Sequence, residues 1–470
     1  MPGVSDISFA PAVVTTRRLR DRELSAAEVM AETLDRIDKV NPSINAIVAQ
    51  RPRGELMAEA EAADAGPVKG PLHGLPMAIK DLADVAGMPT RRGSLITSAK
   101  PVATDTLFVS RLREAGAIFI GKTNSPEFGA GSNTFNEVFG ITRNPHNRDL
   151  TPGGSSGGAA AALASGMLAL ADGSDLGGSL RNPAAFCGVV GLRPSIGRIP
   201  AVPARSGFLN TLAVSGPMAR SVEDLGLLLS IMAGPDPRDP TSLSDDPTQY
   251  AASLRGDLEG VRVAWAGELG LTWEPDCYSV ARATMDRFDA AGSHVEDAAP
   301  DLSGAMDVFR TLRSLIFSDF GEVVPEEKWP LLKETVRWNI QCGRDLVLAD
   351  VTKAELERTR IHLAMTEFFE RYDVLALPTT QVAPFPVEIE YPTEIGGTVM
   401  EDYIDWMSSC CVISSTGCPA ISVPAGFTSD GLPVGLQLVA AVGQEAKLLD
   451  IAKGFENASA DLRRDPVILA

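Results

Sequence analysis

Short apolar segments alternate along this chain with longer stretches of helical periodicity. We interpret the apolar segments as buried or half-buried strands; they lie at 117–120 (AIFI), 261–265 (VRVAW), 374–377 (VLAL) and 421–423 (ISV). Helical patterns lie between them, at 105–115, 222–233 and 278–291. Alternation of this kind predicts an α/β fold with a layered sheet.

The first 65 residues are predicted to form a helical segment packed on the core. Ser25 and Glu28 have the spacing of a capping box, and an apolar stripe follows them at helical spacing. Because proline interrupts helical hydrogen bonding, we expect this helix to end at Asn41 and Pro42.

Two later stretches have distinct compositions. Residues 234–250 are rich in Pro, Asp and Ser, which predicts an exposed connection. Residues 301–372 are mainly helical in pattern, and their aromatic residues are Phe309, Phe317, Phe320, Trp329 and Trp338. We interpret these as core aromatics, with a wall or lid for an apolar ligand as the alternative.

Charge excludes several classes of partner. The 470 residues include 61 acidic and 42 basic side chains, and the net charge of −19 disfavours nucleic acids and anionic membrane surfaces. Residues 1–14 lack the basic start and apolar core of a signal peptide. The longest apolar run, 159–171, is too short to span a bilayer. We therefore expect a cytoplasmic protein with no membrane partner.

Cysteine and histidine usage gives no indication of a metal. The six cysteines form no C-x-x-C pair, so we expect reduced, mostly buried thiols. The four histidines fall in no metal-binding spacing. Residues 153–158 (GGSSGG) lack the lysine of a phosphate-binding loop and the spacing of a dinucleotide fingerprint. We predict no metal and no cofactor.

A pair of glycines precedes serine twice, at 153–158 (GGSSGG) and at 175–179 (DLGGS). Taken alone, a Gly/Ser cluster such as 153–158 predicts a loop. In the second, glycine leaves backbone amides unobstructed, so amides there could stabilise an oxyanion formed when Ser179 attacks a carbonyl. The predicted donors are the N–H groups of Leu176, Gly177, Gly178 and Ser179.

A serine nucleophile needs a base, and the chain offers two candidates. Lys80 ends a short apolar run, and burial there would lower its pKa and leave it able to accept a proton. His73 is the alternative, in a Ser–His hydrolase. The candidate nucleophile Ser179 does not lie in the G-x-S-x-G elbow of that class, since residues 177–181 read GGSLR.

These motifs together resemble those of the amidase signature family. The resemblance covers about residues 70 to 440 and is carried by 73–80 (HGLPMAIK), 151–158 (TPGGSSGG), 175–181 (DLGGSLR), 182–194 (NPAAFCGVVGLRP), 215–220 (SGPMAR), 417–426 (GCPAISVPAG) and 431–437 (GLPVGLQ). It implies one large α/β catalytic domain, 66–470, with a mixed central sheet covered on both faces by helices. It also implies a mainly helical, substrate-shaping region at about 301–410.

The resemblance implies a Ser–cis-Ser–Lys triad. Ser179 corresponds to the nucleophile, Ser155 to the bridging serine and Lys80 to the base. Ser155 is expected on a cis peptide, which we place before Ser156.

Four further residues have supporting roles by the same resemblance. Ser156 is expected to hydrogen-bond Lys80, and Asp175 to order the glycine turn. Arg181 is expected to form a salt bridge that holds this loop, rather than to bind substrate. Ser132 falls near the triad and is a candidate pocket residue.

The implied activity is hydrolysis of carbonyl C–N bonds through an acyl-enzyme. Apolar residues in 301–410 favour hydrophobic or aryl amides and anilides, and the same chemistry extends to esters and carbamates (urethanes). The expected partner is a small-molecule substrate, and the sequence does not decide whether the chain forms a homodimer. The alternative within the family is the ammonia-supplying chain of a tRNA-dependent amidotransferase, but residues 210–217 (NTLAVSGP) lack the acidic residue that such chains carry there.

Overall fold

The computed structural model describes residues 7–252, 254–464, 466 and 468. Residues 1–6 of the predicted N-terminal segment lie outside the described residues. The helices, numbered along the chain, are α1 (Ala12–Arg20), α2 (Ala26–Ile44), α3 (Arg53–Ala65), α4 (Leu107–Glu114), α5 (Gly157–Ala164), α6 (Arg181–Cys187), α7 (Val222–Met232), α8 (Pro275–Ala283), α9 (Met285–Ala290), α10 (Ala305–Gly321), α11 (Glu334–Arg344), α12 (Leu348–Arg371), α13 (Ser408–Thr416) and α14 (Glu445–Ala458). The strands are β1 (Ile47–Val48), β2 (Pro76–Lys80), β3 (Ile118–Thr123), β4 (Phe135–Asn136), β5 (Gly140–Ile141), β6 (Leu170–Asp175), β7 (Val190–Arg193), β8 (Val214–Ala219), β9 (Arg262–Trp265), β10 (His294–Asp297), β11 (Val374–Pro378), β12 (Glu394–Ile395), β13 (Thr398–Val399), β14 (Ala420–Phe427) and β15 (Pro433–Val439).

The predicted α/β fold is confirmed. Eight strands form one mixed sheet in the order β10-β9-β11-β15-β14-β7-β8-β6. Strands β10, β9 and β11 run parallel to one another, and the remaining neighbours pair antiparallel.

Helices cover both faces of this sheet because its central strands are apolar on both sides. Along β11, Val374 and Ala376 pack into a core with α7, α8, α9 and α14. Leu375 and Leu377 point the other way, into a second core with α10, α12 and α13. A strand buried on both faces is expected to be apolar at consecutive positions, as this one is.

Lys80 lies outside the main sheet. It ends β2, which pairs with β3 in a separate three-stranded sheet of order β1-β3-β2. The backbone N–H of Lys80 donates to the Asp172 carboxylate on β6, with an N···O distance of 3.0 Å. The small sheet therefore docks on the edge strand of the main sheet. Only the central sheet was predicted from the sequence.

The predicted end of the first long helix was wrong. The capping box at Ser25 and Glu28 is present, but α2 continues through Pro42 to Ile44. The Asn41 side chain accepts from the backbone N–H groups of the two residues that follow the helix cap, at 2.8 and 2.9 Å. Proline in the last turn removes only one helical hydrogen bond, so the helix can continue past it, and the Asn41 side chain fixes the chain that follows.

Other predicted elements are present with shifted bounds. The helical stretch 278–291 is two helices, α8 and α9, that meet at Thr284. The region 301–372 contains α10, α11 and α12. Phe309 is a core residue as predicted, whereas Trp338 is exposed. Residues 234–250 form the largely exposed connection from α7 towards β9.

The described cysteines are free, and all but Cys342 are buried. Among the described helices, none combines the length and the apolar character that crossing a bilayer requires.

Candidate active site

The ammonium nitrogen of Lys80 is surrounded by serine hydroxyls. Its Nζ lies 2.8 Å from Ser155 Oγ, 2.8 Å from Ser156 Oγ and 3.0 Å from Ser174 Oγ. Only 1% of the Lys80 surface is exposed, and no carboxylate among the described residues forms an ion pair with it. A buried lysine without an ion pair is uncommon, because its charged form loses hydration without compensation.

Burial shifts the protonation equilibrium of Lys80. Loss of hydration lowers its pKa to about 7, although the negative charges of Asp172 and Asp175 act in the opposite direction. Asp172 is itself buried, which raises its pKa to about 6. A substantial fraction of Lys80 is therefore a neutral amine near pH 7, and a neutral amine can accept a proton.

The two serines beside Lys80 precede α5, whose first residue is Gly157. The peptide bond between Gly154 and Ser155 is cis. The cis bond was expected one residue later, before Ser156, and that position was wrong. Ser132 Oγ donates to the Gly154 carbonyl at 2.6 Å. The carbonyl of the cis peptide is thus hydrogen-bonded inside the protein.

Ser132 does not line the pocket as expected. Its side chain is buried, and its hydroxyl also accepts from the Asn182 amide at 3.1 Å. The adjacent Gly131 lines the cavity described below instead. Ser132 therefore supports the backbone around Ser155 from behind.

A buried ion cluster holds the turn that follows β6. Arg181 Nε and Nη2 donate to Asp175 at 3.0 and 2.9 Å, and Arg193 Nη1 donates to it at 3.2 Å. All three side chains are fully buried. Although burial opposes ionisation, the two arginines hold the pKa of Asp175 well below its usual range. Arg181 thus forms a salt bridge within this loop, as the sequence analysis favoured.

Asp175 also selects which backbone amides of the turn remain available. Its carboxylate accepts from the N–H groups of Gly178 and Leu180, at 2.9 and 3.1 Å. The Gly178 amide therefore cannot serve as a predicted oxyanion donor. The amides of Leu176, Gly177 and Ser179 donate to no acceptor among the described residues.

The turn also requires glycine on steric grounds. Gly178 has φ of +114°, and a Cβ there would lie 2.6 Å from the Cβ of Cys410. A Cβ at Gly177 would lie 2.6 Å from Cζ of Phe309 on α10. The turn is thus pressed against α10 and α13, which leaves no room for side chains.

Ser179 and Ser155 line one cavity of about 690 Å³. The Ser156 N–H donates to the Ser179 carbonyl at 3.2 Å, which ties the two serine segments together. Ser179 Oγ makes no hydrogen bond to the described residues. The rest of the wall is largely apolar and includes Ile96, Phe128, Ile316, Phe317, Phe320 and Met407.

Comparison with known proteins places this arrangement in a family. The sequence model of the Amidase family matches residues 28–449. The chain belongs to the amidase signature family. Two curated relatives of this amidase-family chain, one from each functional class weighed above, cover nearly its whole length. An acylamidase of Rhodococcus erythropolis is 38% identical over 464 residues, 96% of each chain. The A-type chain of a glutamyl-tRNA(Gln) amidotransferase of Moorella thermoacetica is 34% identical over 482 residues, 95% of this chain and 96% of that protein.

A solved structure has the same fold. A bacterial aryl acylamidase of the amidase signature family superposes with a TM-score of 0.89 at 28% identity, over 96% of each chain. The chain is therefore an amidase signature hydrolase.

Sequence reasoning missed several residues of this amidase site. Ser174 is a third hydroxyl on Lys80, and Asp172 accepts from the Lys80 backbone. The signal for Ser174 was its position directly before DLGGS. One cavity wall comes from Leu82 to Gly131, which carried no recognisable motif. None of the four histidines, all of which lie in the described part of the chain, lines this cavity.

Proposed function

We propose that the chain hydrolyses amides through a Ser179–Ser155–Lys80 triad and an acyl-enzyme. The observation that carries this proposal is the buried Lys80 amine, whose side-chain hydrogen bonds are all to serine hydroxyls and include Ser155, which lines the same cavity as Ser179. With a pKa of about 7, this amine can act as a base at neutral pH.

The neutral amine has two N–H groups and one lone pair. It donates to Ser156 and Ser174, and its lone pair accepts the hydroxyl proton of Ser155. Ser155 in turn takes the proton of Ser179 as Ser179 Oγ bonds to the substrate carbonyl carbon. The carbonyl π electrons move to the oxygen, and the amides of Leu176, Gly177 and Ser179 are the proposed donors to that oxyanion.

Collapse of the tetrahedral intermediate breaks the C–N bond. The proton held by Lys80 returns through Ser155 to the leaving nitrogen, which departs as a neutral amine. Water then attacks the ester on Ser179 and gives up its proton through the same hydroxyls. This step releases the carboxylic acid and restores Ser179.

The cavity supports hydrophobic or aryl amides and anilides as the substrate class. Phe128, Phe317 and Phe320 contribute to its wall, and Phe128 and Phe320 have ring centroids 4.5 Å apart. Burying an aryl group against such side chains is favourable by roughly 25 cal/mol per Å² of apolar surface. Esters and carbamates present the same carbonyl to Ser179, so we propose them as secondary substrates.

The test is hydrolysis of 4-nitroacetanilide by single variants. Lys80→Met and Ser179→Ala should each lose at least about 10³-fold in kcat, because the base or the nucleophile is gone. His73→Gln is the matched control and should keep near wild-type activity, since His73 does not line the cavity. Loss of activity in His73→Gln with retention in Lys80→Met would overturn the assignment in favour of the Ser–His alternative.

A second candidate is the amidotransferase chain, favoured by the 34% identity to such a protein over 95% of this chain. Glutamine as the only substrate, or copurification with a second protein chain, would support it. Rapid release of 4-nitroaniline by the isolated chain would support the free-standing hydrolase.

A further inference from the structure

One buried arginine on the cavity wall has no carboxylate partner. Arg313, on α10, is only 5% exposed, yet it lines the cavity that contains Ser179. Its Nε donates to the Asn339 side-chain oxygen at 3.0 Å, and its Nη2 donates to the Tyr403 hydroxyl. Its Nη1 donates to no described residue, so one corner of the guanidinium fork remains without a partner.

The other cations of this wall differ from Arg313 in partner or in exposure. Arg92 pairs with Asp84 at 3.1 Å, and the half-exposed Arg205 pairs with Asp319 at 3.5 Å. Lys328 is partly exposed, and its ammonium lies 3.4 Å from a backbone carbonyl. Arg313 is thus the buried cation of the wall that has no carboxylate beside it in the described residues.

The wall carries no acid that could balance this charge. Asp175 is its one lining carboxylate in the described residues, and both of its oxygens are already bonded to Arg181 and backbone amides. The charged side chains that line the cavity are therefore mostly basic, namely Arg92, Arg205, Arg313 and Lys328 against Asp175. Such a wall attracts a ligand that brings a negative charge with it.

Helix α10 fixes where this charge lies. Phe309 packs against Gly177 in the turn that precedes Ser179. Arg313 is four residues further on and Phe317 is four residues beyond that, so the three side chains follow one face of the helix. At 1.5 Å per residue, Arg313 is roughly 6 Å along the helix from the residue that touches the nucleophile turn. Arg313 thus lies on α10 between Phe309, which touches that turn, and the cavity residue Phe317.

Resting on the proposed function, we infer that Arg313 selects amides that carry a carboxylate near the scissile bond. The guanidinium fork matches a carboxylate, and Nη1 is the donor left for it. The aromatic side chains further along the cavity accommodate the apolar remainder of the substrate. Arg313 is therefore a specificity-determining residue, with Asn339 and Tyr403 holding it in place.

A purely structural role is the competing explanation, since Arg313 also lies over the rings of Phe317 and Tyr403, 4.8 and 5.5 Å from their centroids. The two roles make different predictions. Loss of a structural contact slows hydrolysis of every substrate, whereas loss of a carboxylate partner acts only on substrates that carry the carboxylate.

The test compares two pairs of substrates that differ only in the carboxylate. Succinanilic acid is paired with levulinic anilide, and N-benzoylglycine with N-(2-oxopropyl)benzamide; a methyl ketone replaces the carboxylate in the second member of each. The pairs place the charge on opposite sides of the scissile bond. Release of aniline or benzoate gives kcat/KM for wild type, Arg313→Gln, Arg313→Lys and the matched control Arg205→Gln.

We expect wild type to favour the carboxylate in at least one pair by about 10- to 100-fold, the range for a hydrogen bond to a charged group. Arg313→Gln should abolish that preference and change kcat/KM for the ketone less than about threefold, whereas Arg313→Lys should restore part of it. Arg205→Gln should leave the preference intact, because its charge is exposed and already paired.

Calorimetric binding to Ser179→Ala separates the two proposals. Tighter binding of a carboxylate than of its ketone, lost when Arg313→Gln is added, supports the inference even where wild type hydrolyses neither compound. Equal handling of both members of both pairs, in kinetics and in binding, overturns the inference and leaves the proposed hydrolase intact.

Discussion

The buried lysine makes a quantitative prediction about pH. If Lys80 is the base, activity requires its neutral form, which predominates above its pKa of about 7. The rate should therefore fall as pH drops through 7, the pH at which about half of the molecules hold a neutral amine. A lysine with the ordinary pKa of 10.5 would give a rate that still rises at pH 9.

A substitution at Asp172 should shift the midpoint of the pH profile, the pH at which the rate is half of its maximum. Its negative charge raises the pKa of Lys80, so removing the charge with Asp172→Asn should lower it. Asparagine keeps a side-chain oxygen for the Lys80 backbone N–H, which donates to Asp172 at 3.0 Å. An opposite charge in close range shifts a pKa by about 1 to 3 units, and we expect a downward move of about one unit.

The assay is kcat/KM for 4-nitroacetanilide between pH 5 and 9. At pH 7, where Asp172 is largely ionised in wild type, the Asp172→Asn variant should retain about nine tenths of its maximal rate, compared with about half for wild type. Because burial raises the pKa of Asp172 to about 6, wild type itself loses this charge in acid, and its acid limb should be shallower than tenfold per pH unit below pH 6. Asp105→Asn, at a carboxylate paired with Arg113, is the control and should leave the midpoint unchanged.

Two results would refute this reasoning. A profile that is flat from pH 5 to 9 would mean that no group with a pKa near 7 limits the reaction. An Asp172→Asn midpoint that stays in place or moves to higher pH would mean that Lys80 is not the titrating base. Circular dichroism at each pH shows whether the protein is folded, so that acid unfolding is not mistaken for titration.

The turn around Ser179 carries the remaining predictions. Asp175→Asn leaves two buried arginines without their carboxylate, and we expect the free energy of unfolding in urea to fall by about 3–5 kcal/mol. Asp319→Asn, which breaks an exposed pair, should cost less than about 1 kcal/mol, and an equal effect of the two would contradict the argument. Gly177→Ala should lower kcat at least about tenfold, because its Cβ would lie 2.6 Å from Phe309 and displace the amides beside Ser179. Gly54→Ala, where a Cβ meets open space, should leave kcat unchanged, and a Gly177→Ala variant with full activity would show that the turn tolerates displacement.

Much of the fold could be predicted because its elements are locally encoded. The predicted strand 374–377 is β11, which the structure extends only to Pro378. The end of α2 could not be predicted from Pro42. The chain after the helix is held by the Asn41 side-chain oxygen, which accepts from the N–H groups of Ala46 and Ile47, and this contact forms only in the folded protein. The small sheet that carries Lys80 was also missed, since pairing of β2 with β3 joins segments about 40 residues apart.

The site residues that lie in contiguous sequence motifs could be predicted. The motifs gave Lys80, Ser155, Ser156 and Ser179, and three of these meet at one point as Lys80 Nζ contacts both neighbouring serines. The Gly178 amide was misassigned because its partner is the Asp175 side chain, a contact set by the shape of the turn. The α10 side of the cavity wall was expected, since Phe317 and Phe320 lie in the predicted substrate-shaping region, but the side formed by the segment 82–131 could not be foreseen, because it meets α10 only in the folded protein.

The two buried ionisable groups of the site, Asp175 and Lys80, have opposite kinds of hydrogen-bonding partner. This difference explains why the carboxylate stays charged while the amine can be neutral. Asp175 receives donors from two arginines and two backbone amides, so it stays ionised and holds the turn rigid. The Lys80 side chain is hydrogen-bonded only to neutral hydroxyls, so the loss of hydration on burial is the largest influence on its pKa and lowers it. If Asp175 turned its carboxylate to Lys80, the ammonium would be stabilised and the base lost. Because the arginines engage that carboxylate, the same cluster that shapes the nucleophile turn also keeps the nearby lysine free of a direct ion pair.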